Sequence, residues 1–404
     1  MSAMQLKVFP PPGPRAFHLM AKPIGATCNL RCDYCFYLDK TRFYDASRSL
    51  RMRDEVLEQY VKQYIQSQDV QLISFAWQGG EPTLMGLDFF RKAIELQKKY
   101  AAGKTIQNAL QTNGTMLDDE WCELLKRESF LVGISIDGPA ALHDQYRRGA
   151  DQEGSFAKVM LGLELLKKHK VEFNTLTVIN DVNARHPLEM YEFLKESGST
   201  FWQFIPIVER LQAADGRGVI APPFAATGHA ETSPLANWSV PPKLYGQFLC
   251  AIFDRWYQQD IGRIFIQQFE SALAPYMGRP PGACVYAETC GAALIIEHNG
   301  DVYSCDHFVF PQYKLGNILK TPLADMVFSP QQQRFGQAKL DALPQDCLKC
   351  NWRKLCNGGC PKDRFAADSS GGQRLNYLCP GFKTFYNHAD GRLRKIVKVL
   401  QAQP

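Results

Sequence analysis

The sequence has no long apolar run and no recognisable leader. No stretch approaches the roughly 18–20 consecutive apolar residues that are needed to span a bilayer. Residues 1–14 form a Pro-rich polar segment without the apolar centre of a signal peptide. We therefore expect a cytoplasmic protein that does not enter the membrane.

The net charge of the chain is also small. Lys and Arg number 46 and Asp and Glu number 41, which gives a net charge of +5 that is spread along the chain. Because no basic block stands out, we do not expect nucleic acid as a partner. Apolar residues make up 45% of the 404 residues, as in a folded chain. The length allows about two to four domains.

Cysteine, in contrast, is abundant and unevenly placed. Of the 13 cysteines, three cluster near the N-terminus, eight lie between positions 284 and 379, and Cys122 and Cys250 stand alone. The cytosol keeps thiols reduced, so disulfides explain this number poorly. The distribution indicates metal or redox chemistry. The two isolated cysteines fall in predicted helices, and we expect them to be packed core thiols.

Short β-rich runs alternate with longer amphipathic stretches between residues 17 and 207, which is typical of βα units around a parallel sheet. The predicted strands are Phe17–Ile24, Leu72–Trp77, Ile106–Thr112, Leu131–Ile136, Glu172–Ile179 and Phe201–Ile207. The predicted helices lie near 54–66, 88–101, 118–128, 155–169 and 187–197. Polar turns follow several strands, at the edge where parallel α/β folds carry their sites.

The rest of the chain divides into a connector, a linking helix and a Cys-rich segment. Residues 210–240 lose periodicity and gain Gly, Pro, Ala and Thr, which predicts a long loop. A helix near 242–260, short strands and turns between 280 and 385, and a basic helical tail at 383–400 follow. The predicted domains are 1–240, with the connector, then 241–280 and 281–385, with a tail at 386–404.

Cys28, Cys32 and Cys35 follow the first predicted strand in a loop. Thiolates at these spacings can occupy one face of an iron–sulfur cubane and leave its fourth iron without a protein ligand. A tetrahedral zinc site would need a fourth Cys or His nearby, and the flanking loop offers none. The spacing therefore favours an open iron–sulfur cluster over a structural zinc loop.

The triad and the end of the second strand resemble the radical S-adenosylmethionine (SAM) superfamily. Its motif is Cys-x3-Cys-x2-Cys after the first strand of a partial barrel, and Gly79-Gly80-Glu81-Pro82 resembles its Gly-Gly-Glu-Pro segment. The resemblance implies that the open iron binds SAM, from which a 5′-deoxyadenosyl radical forms. Glycines allow close approach of a ligand, and the Glu81 carboxylate can accept hydrogen bonds from an ammonium group.

Two more polar residues at strand ends suit SAM. The Ser135 hydroxyl and the Arg147 guanidinium fit the ribose and the carboxylate of that cofactor. The alternative is ordinary turn capping for Ser135 and a surface ion pair for Arg147.

The C-terminal cysteines are numerous enough for two four-thiolate sites. They are Cys284, Cys290, Cys305, Cys347, Cys350, Cys356, Cys360 and Cys379. Two zinc ribbons or two iron–sulfur clusters would satisfy the count, and spacing alone does not choose between them. Their order, with Gly300 before the third, resembles the SPASM domain of peptide-modifying radical SAM enzymes.

The SPASM resemblance implies two auxiliary [4Fe–4S] clusters with crossed ligation, in addition to the SAM-binding [4Fe–4S] cluster. One auxiliary cluster takes Cys284, Cys290, Cys305 and Cys360, and the other takes Cys347, Cys350, Cys356 and Cys379. The expected fold is α/β. It consists of a partial (β/α)6 TIM-like radical SAM barrel, a small Cys-rich SPASM domain holding the auxiliary clusters, and a C-terminal helix.

Local segments resemble the anaerobic sulfatase-maturating enzymes in particular. They are Cys35-Phe36-Tyr37-Leu38, Trp77-Gln78-Gly79-Gly80-Glu81-Pro82-Thr83, Phe204-Ile205-Pro206-Ile207-Val208-Glu209-Arg210, the run from Glu297 to His307, and Asn376-Tyr377-Leu378-Cys379. The resemblance covers residues 16–390 and implies oxidation of a sulfatase Cys or Ser to Cα-formylglycine through abstraction of a Cβ hydrogen. It implies Asp306 as catalytic base, with Tyr37 and Gln78 near the reaction centre. The alternative for Asp306 is a solvated turn carboxylate.

The implied partners are an unfolded sulfatase polypeptide with a Cys/Ser-x-Pro-x-Arg motif and an electron donor of the flavodoxin or ferredoxin type. Two other functions stay open. Another SPASM maturase, forming a crosslink or thioether on a small peptide, would share every cluster ligand. A zinc-ribbon interaction protein would leave the first triad unexplained. His143 and His307 remain unassigned, because the histidines show no pairing with ligand spacing.

Overall fold

The computed structural model describes residues 16–44, 49–212, 219–221 and 233–402. Six strands alternate with helices in its first half. The strands are β1 (His18–Lys22), β2 (Leu72–Trp77), β3 (Thr105–Thr112), β4 (Leu131–Ser135), β5 (Phe173–Ile179) and β6 (Phe201–Pro206). The helices are α1 (Asp54–Gln66), α2 (Leu87–Tyr100), α3 (Asp119–Arg127), α4 (Ala140–His143), α5 (Phe156–Lys168) and α6 (Pro187–Glu196). Strand ends differ from the predicted ones by at most two residues.

Local chemistry explains why these elements form where they do. The side chain of Asp118 caps α3 by accepting a hydrogen bond from the Trp121 amide at 2.8 Å. Along β2, the side chains of Ile73, Phe75 and Trp77 are buried at alternate positions, which is the period of a strand packed on one face. The capping side chain of α3 and the alternation of apolar residues in β2 therefore explain where these two elements form.

The predicted connector contains a short hairpin within its described part, and a helical region follows it. The elements are β7 (Leu211–Gln212), β8 (Val219–Ile220), α7 (Pro242–Gln259), β9 (Phe265–Ile266) and α8 (Gln267–Leu273). Residues 213–218 and 222–232 of the connector lie outside the described residues.

The Cys-rich segment is built from short elements, and one long helix follows it. Its strands and helices are β10 (Ala293–Glu297), β11 (Asp301–Tyr303), β12 (Lys314–Asn317), α9 (Leu323–Val327), α10 (Pro330–Asp341), α11 (Gln345–Leu348), α12 (Arg353–Cys356), β13 (Ala366–Ala367) and β14 (Gln373–Leu375). The last helix, α13 (Cys379–Gln401), begins before the predicted tail. Among the described residues, no helix has the length and apolar character needed to cross a membrane.

The main sheet includes strands from both halves of the chain. Its order is β12-β11-β10-β1-β2-β3-β4-β5-β6-β9, and β1 to β6 pair in parallel. The strand β10 pairs in parallel with β1, from His18 opposite Ala293 to Lys22 opposite Glu297. The sequence does not predict this pairing. Through it, the segment predicted as a separate domain, 281–385, extends the barrel sheet.

Two large apolar cores support the sheet within the described residues, beside a small third cluster that includes Ile295 and Tyr303. One packs the first strands against α1, α2, α3 and α5, and contains the ring cluster of Tyr60, Phe75 and Trp77. The other joins β6, α6, α7 and α13 and includes Phe253, Phe269 and Phe385. The second core ties the barrel to the Cys-rich segment, because Tyr286 and Leu355 also belong to it.

Glycine contacts bring α7 and α13 together. A Cβ on Gly381 would lie 2.3 Å from the Pro242 carbonyl oxygen, and a Cβ on Gly246 would lie 2.8 Å from the Gly381 Cα. Both distances are too short for a real side chain, so the two backbones approach more closely than any other residue type would allow. In contrast, a Cβ on Gly391, on the exposed side of α13, would meet nothing within 4 Å.

We predict that two glycine-to-alanine substitutions in α13 have opposite effects. Gly381→Ala should lower the free energy of unfolding by about 1–3 kcal/mol, because the methyl group forces the backbones of α7 and α13 apart. Gly391→Ala should raise it by about 0.5–1 kcal/mol, because alanine favours the helix and meets no neighbour. Thermal unfolding of the full chain measures both. Shifts of the same sign in the two variants would contradict this packing.

Candidate active site

The cysteine triad lies in the loop that follows β1, at the carboxyl edge of the sheet. Burial raises the pKa of Cys28 to about 11 and that of Cys32 to about 12. The neighbouring thiolate of Cys35 raises the pKa of both, and the guanidinium of Arg147 lowers it. The three thiols therefore share one partly buried neighbourhood. A bound cation must stabilise them if they are to remain thiolates.

The Gly79-Gly80 turn packs against the backbone of the triad loop. The Gly80 amide donates to the Gly25 carbonyl at 2.8 Å, and the Glu81 amide donates to the Thr27 carbonyl at 2.9 Å. A Cβ on Gly80 would lie 1.8 Å from the Thr27 carbonyl oxygen. Glycine is thus required here because two stretches of main chain touch. This contact fixes the turn beside the triad.

The buried carboxylate of Glu81 links the ends of β2 and β3 through hydrogen bonds. It accepts hydrogen bonds from the Thr83 amide at 3.0 Å, from the Thr112 hydroxyl at 2.8 Å and from the Asn113 amide at 2.7 Å. Burial raises the pKa of Glu81, and these donors lower it. Contact with the ammonium group of SAM stays a prediction.

Arg147 is buried between the triad and the end of β4. One of its terminal nitrogens donates to the Tyr34 hydroxyl at 3.0 Å and lies 3.9 Å from the Asp137 carboxylate. Its Nε is buried and has no hydrogen-bond partner among the described residues. Ser135 is the last residue of β4 and is also buried. The unpartnered Nε fits a cofactor carboxylate, and the burial of Arg147 is not that of a surface ion pair.

Asp137 is a residue that the sequence reasoning missed. Its carboxylate accepts from the Tyr34 hydroxyl and, at 2.9 Å, from the Val178 amide. The Asp137 amide in turn donates to Nδ1 of His143 at 3.2 Å, and Nε2 of His143 lies 3.0 Å from the Ser155 hydroxyl. His143 is therefore a satisfied core histidine. Asp137 holds Tyr34 and Arg147 in place.

Lys22, at the end of β1, brings three of the predicted site residues together. Its Nζ lies 2.7 Å from Oδ1 of Asp306, 3.3 Å from Oε1 of Gln78 and 4.3 Å from the ring centre of Tyr37. Lys22 is only 1% exposed. Sequence reasoning missed it, although a lysine inside an apolar strand is itself a signal, because fully buried lysines are almost always paired.

The ion pair with Lys22 sets the charge of Asp306. Burial would raise the pKa of Asp306, but Lys22, His307 and Lys40 together lower it below its ordinary value. The group is therefore a carboxylate at neutral pH rather than a solvated turn residue. Burial lowers the pKa of His307 to about 4, which leaves this imidazole neutral beside it.

A pocket open to solvent, with about 390 Å³ of empty space, is lined by His307, the residue that directly follows Asp306. Its lining includes the rings of Phe36, Phe310 and Phe365, together with Lys40, His307 and the ion pair of Glu209 with Lys362. The ammonium of Lys362 lies 2.9 Å from the Glu209 carboxylate. Aromatic walls with fixed charges are typical of a site that binds a peptide or a small molecule.

The eight C-terminal cysteines form two groups in space. In the first auxiliary set, Cys284, Cys290, Cys305 and Cys360, burial raises the pKa of the last three thiols, and the charges of the members act on one another. The second auxiliary set, Cys347, Cys350, Cys356 and Cys379, is coupled in the same way. The crossed ligation that the SPASM resemblance implies stays a prediction.

The donor chemistry of both sets suits an iron–sulfur cluster. The second auxiliary set lines a predominantly apolar cavity of about 400 Å³. Among the residues that the structure describes, no three His, Cys, Asp or Glu side chains converge closely enough to bind one metal ion. Thiolates spaced around a volume are the donor set of an iron–sulfur cluster.

Comparison with known families and proteins extends the resemblance over most of the chain. Residues 23–194 match the radical SAM superfamily, and residues 284–351 match an iron–sulfur cluster-binding domain called SPASM. A serine-type anaerobic sulfatase-maturating enzyme of Bacteroides thetaiotaomicron is 48% identical over 93% of this chain and 90% of its own. A cysteine-type enzyme of Clostridium perfringens is 36% identical over 93% of this chain and 96% of its own.

Solved structures show the same architecture. Native anSMEcpe with bound AdoMet and Cp18Cys peptide is 35% identical, with a TM-score of 0.83 over 96% of this chain and 100% of its own. Streptococcus suis SuiB bound to precursor peptide SuiA is 15% identical, with a TM-score of 0.61 over 90% of this chain and 76% of its own, and shares the fold alone. The expected barrel with a C-terminal SPASM domain is confirmed.

We predict that cysteines inside and outside the auxiliary sets differ in their effect on bound iron. Cys360→Ala should lose the iron of one cluster, because its thiol completes the first set. Cys250→Ala should keep the full iron content, because Cys250 lies on α7 against α13 and belongs to neither proposed set. Iron analysis of anaerobically reconstituted protein measures this. Unchanged iron in Cys360→Ala, or loss of a cluster in Cys250→Ala, would overturn the assignment.

Proposed function

The chain belongs to the anaerobic sulfatase-maturating enzymes of the radical SAM superfamily, which oxidise a Cys or Ser residue to formylglycine, and from that membership we propose what its own residues do in this reaction. The observation that carries the proposal is the meeting of Lys22, Gln78, Tyr37 and Asp306 beside the cysteine triad.

We propose that the triad holds the SAM-binding cluster and that the two auxiliary sets hold the other two. When bound, SAM with its cluster would supply the radical that takes a hydrogen atom from Cβ of the target residue, and the auxiliary clusters would supply a path for the electron released in the oxidation. Glu81, Ser135 and Arg147 are the proposed contacts to SAM. The unpartnered Nε of the buried Arg147 supports this role, as does the Gly79-Gly80 turn fixed against the triad loop.

We propose that Asp306 accepts the proton of the target thiol or hydroxyl. Its carboxylate is ionised, and the Lys22 ammonium, 2.7 Å away, fixes its position. Gln78 and Tyr37 contact the same ammonium, so one buried cation aligns three groups around the reacting residue. Such positioning contributes to the rate because the acceptor is already within reach when the proton is released.

The pocket lined by His307 is the proposed entry of the substrate chain. Native anSMEcpe binds a Cp18Cys peptide, and we propose that this chain binds an unfolded sulfatase segment with a Cys/Ser-x-Pro-x-Arg motif. The aromatic rings of Phe36, Phe310 and Phe365 offer apolar contact, and buried Glu209 offers a carboxylate. We propose serine as a target residue, because the serine-type relative is 48% identical and the cysteine-type relative 36%.

The compartment and the electron donor are also proposals. All 13 cysteines are free thiols in the structure. This supports the proposal that the protein works in the cytoplasm, which keeps thiols reduced. A flavodoxin or ferredoxin is the proposed electron donor, because reduction of a cluster requires a one-electron carrier.

We predict an aldehyde product from a sulfatase-motif peptide. Anaerobically reconstituted enzyme with SAM and a reductant should convert a Ser-x-Pro-x-Arg peptide to the formylglycine form, together with 5′-deoxyadenosine. A Cys-x-Pro-x-Arg peptide is assayed in parallel by mass spectrometry. Aldehyde from the Cys peptide alone would contradict the serine assignment. Deoxyadenosine without modification of either peptide would favour the other SPASM maturase activities.

We predict that Asp306→Asn lowers formylglycine formation by about 10²–10⁴-fold, because the amide cannot accept the proton. The rate of aldehyde formation by mass spectrometry measures this, and iron content is determined on the same sample. Asp325→Asn, at an exposed site in α9, serves as the matched control. A full rate in Asp306→Asn with all its iron would remove Asp306 from the mechanism.

A further inference from the structure

Two buried cations, Lys339 and Arg364, lie in the Cys-rich segment outside the site described above. Lys339 is 1% exposed and Arg364 is 6% exposed. Among the described residues, neither forms an ion pair with an Asp or Glu within 4.0 Å, whereas Lys22 and Lys362 both do. A buried charge without a counter-charge destabilises the fold, because it has lost its hydration. An anion other than a carboxylate, placed nearby, would stabilise both cations.

Lys339, on α10, is directed at the loop that carries the first cysteine of the first auxiliary set. Its Nζ donates to the carbonyls of Cys284 at 2.8 Å and Val285 at 3.0 Å, and also to that of Ala287. All three of its N–H donors are thus used by main chain. The ammonium is fixed beside the set, with no side chain to neutralise it.

Arg364 occupies the space between the two auxiliary sets. It donates to the carbonyls of Gly358 at 3.0 Å and Asn357 at 2.9 Å, within the loop from Cys356 to Cys360. One nitrogen also donates to the Lys339 carbonyl at 2.6 Å. A Cβ on Gly358 would lie 2.7 Å from the guanidinium. The loop thus folds around the arginine, between a cysteine of the second set and one of the first.

The negative charges that act on the two cations come from cysteine thiolates, and the positive charge of Arg364 acts on Lys339 in the opposite direction. Burial lowers the pKa of Lys339, and the thiolates of Cys290 and Cys360 raise it most. Burial also lowers the pKa of Arg364, and thiolates of both sets raise it. A four-thiolate iron–sulfur cluster carries net negative charge, and reduction adds one more electron. Each cation thus lies beside cysteines that would hold a negatively charged cluster.

We propose that Lys339 and Arg364 are the counter-charges of the auxiliary clusters and raise their reduction potentials, Lys339 at the first set alone and Arg364 at both. This rests on the cluster ligands proposed above and goes beyond them. A nearby positive charge stabilises the reduced, more negative cluster, so it makes the cluster a better electron acceptor. Both residues act through the clusters and are positioning residues.

The test is a redox titration of the reconstituted full chain, followed by electron paramagnetic resonance. Lys339→Gln and Arg364→Gln remove the charge and keep a hydrogen-bond donor. Lys339→Arg and Arg364→Lys keep the charge. Arg334→Gln, at an exposed position of α10, is the matched control. Repeating each titration with Cys28, Cys32 and Cys35 replaced by Ala leaves the signals of the auxiliary clusters alone.

We predict that Lys339→Gln lowers the potential of one auxiliary cluster and that Arg364→Gln lowers both. At a fixed potential, the ratio of reduced to oxidised cluster should fall about tenfold, which corresponds to roughly 59 mV for a one-electron couple. Lys339→Arg, Arg364→Lys and Arg334→Gln should titrate like the unmodified protein. Iron content is measured for every sample.

Each other outcome has a defined meaning. Unchanged potentials in Lys339→Gln and Arg364→Gln at full iron content would overturn the proposal while leaving the cluster ligands in place. Loss of a cluster in the Gln variants but not in the charge-keeping variants would support it, because the counter-charge is then needed to hold the cluster. Loss in both kinds of variant would show a packing role and overturn it. An unmodified protein without auxiliary clusters would refute the ligand sets themselves.

Discussion

The pairing of β1 with β10 is the contact on which the site depends. β1 leads into the cysteine triad, and β10 continues through β11 to Cys305 and Asp306, so this parallel register helps to position two parts of the site relative to each other. Lys22 and Glu297 form the last pair of this register, and the Tyr37 hydroxyl donates a hydrogen bond to the Glu297 carboxylate. A slip of one residue would turn Lys22 to the other face of the sheet and separate it from Asp306. The register thus acts as a catalytic constraint as well as a structural one.

Buried charge is used in two different ways in this molecule. Near the barrel it is paired, as in Lys22 with Asp306 and Lys362 with Glu209. Such pairs contribute little to the net free energy of unfolding, because the cost of desolvation offsets the attraction of the two charges. Removing one partner is costly, because the other charge is then buried without a counter-charge. Near the auxiliary sets, the hydrogen bonds of Lys339 and Arg364 within the described part of the chain go to main-chain carbonyls. The first arrangement fixes geometry, and the second leaves positive charge available to a cofactor.

Local features of the fold could be predicted from the sequence, and long-range ones could not. The six barrel strands follow from apolar period and turn residues, which act within one element. The pairing of β10 with β1 joins residues more than 270 positions apart, and nothing local encodes it. The same division holds in the site. The triad is readable from its spacing, whereas the grouping of eight cysteines into two sets came from family resemblance. Lys22 and Asp137 were missed because their roles depend on partners from other strands.

The last helix links fold stability to the second auxiliary set. Cys379 is the first residue of α13, and two residues later Gly381 packs tightly against the backbone of α7. The position of that thiol is therefore set by packing in the second apolar core rather than by its own loop. Tyr286 and Leu355, which neighbour Cys284 and Cys356 along the chain, belong to the same core. Because metal binding and folding are coupled when ligands come from distant segments, the apolar contacts of this core help hold the thiols of both sets in place.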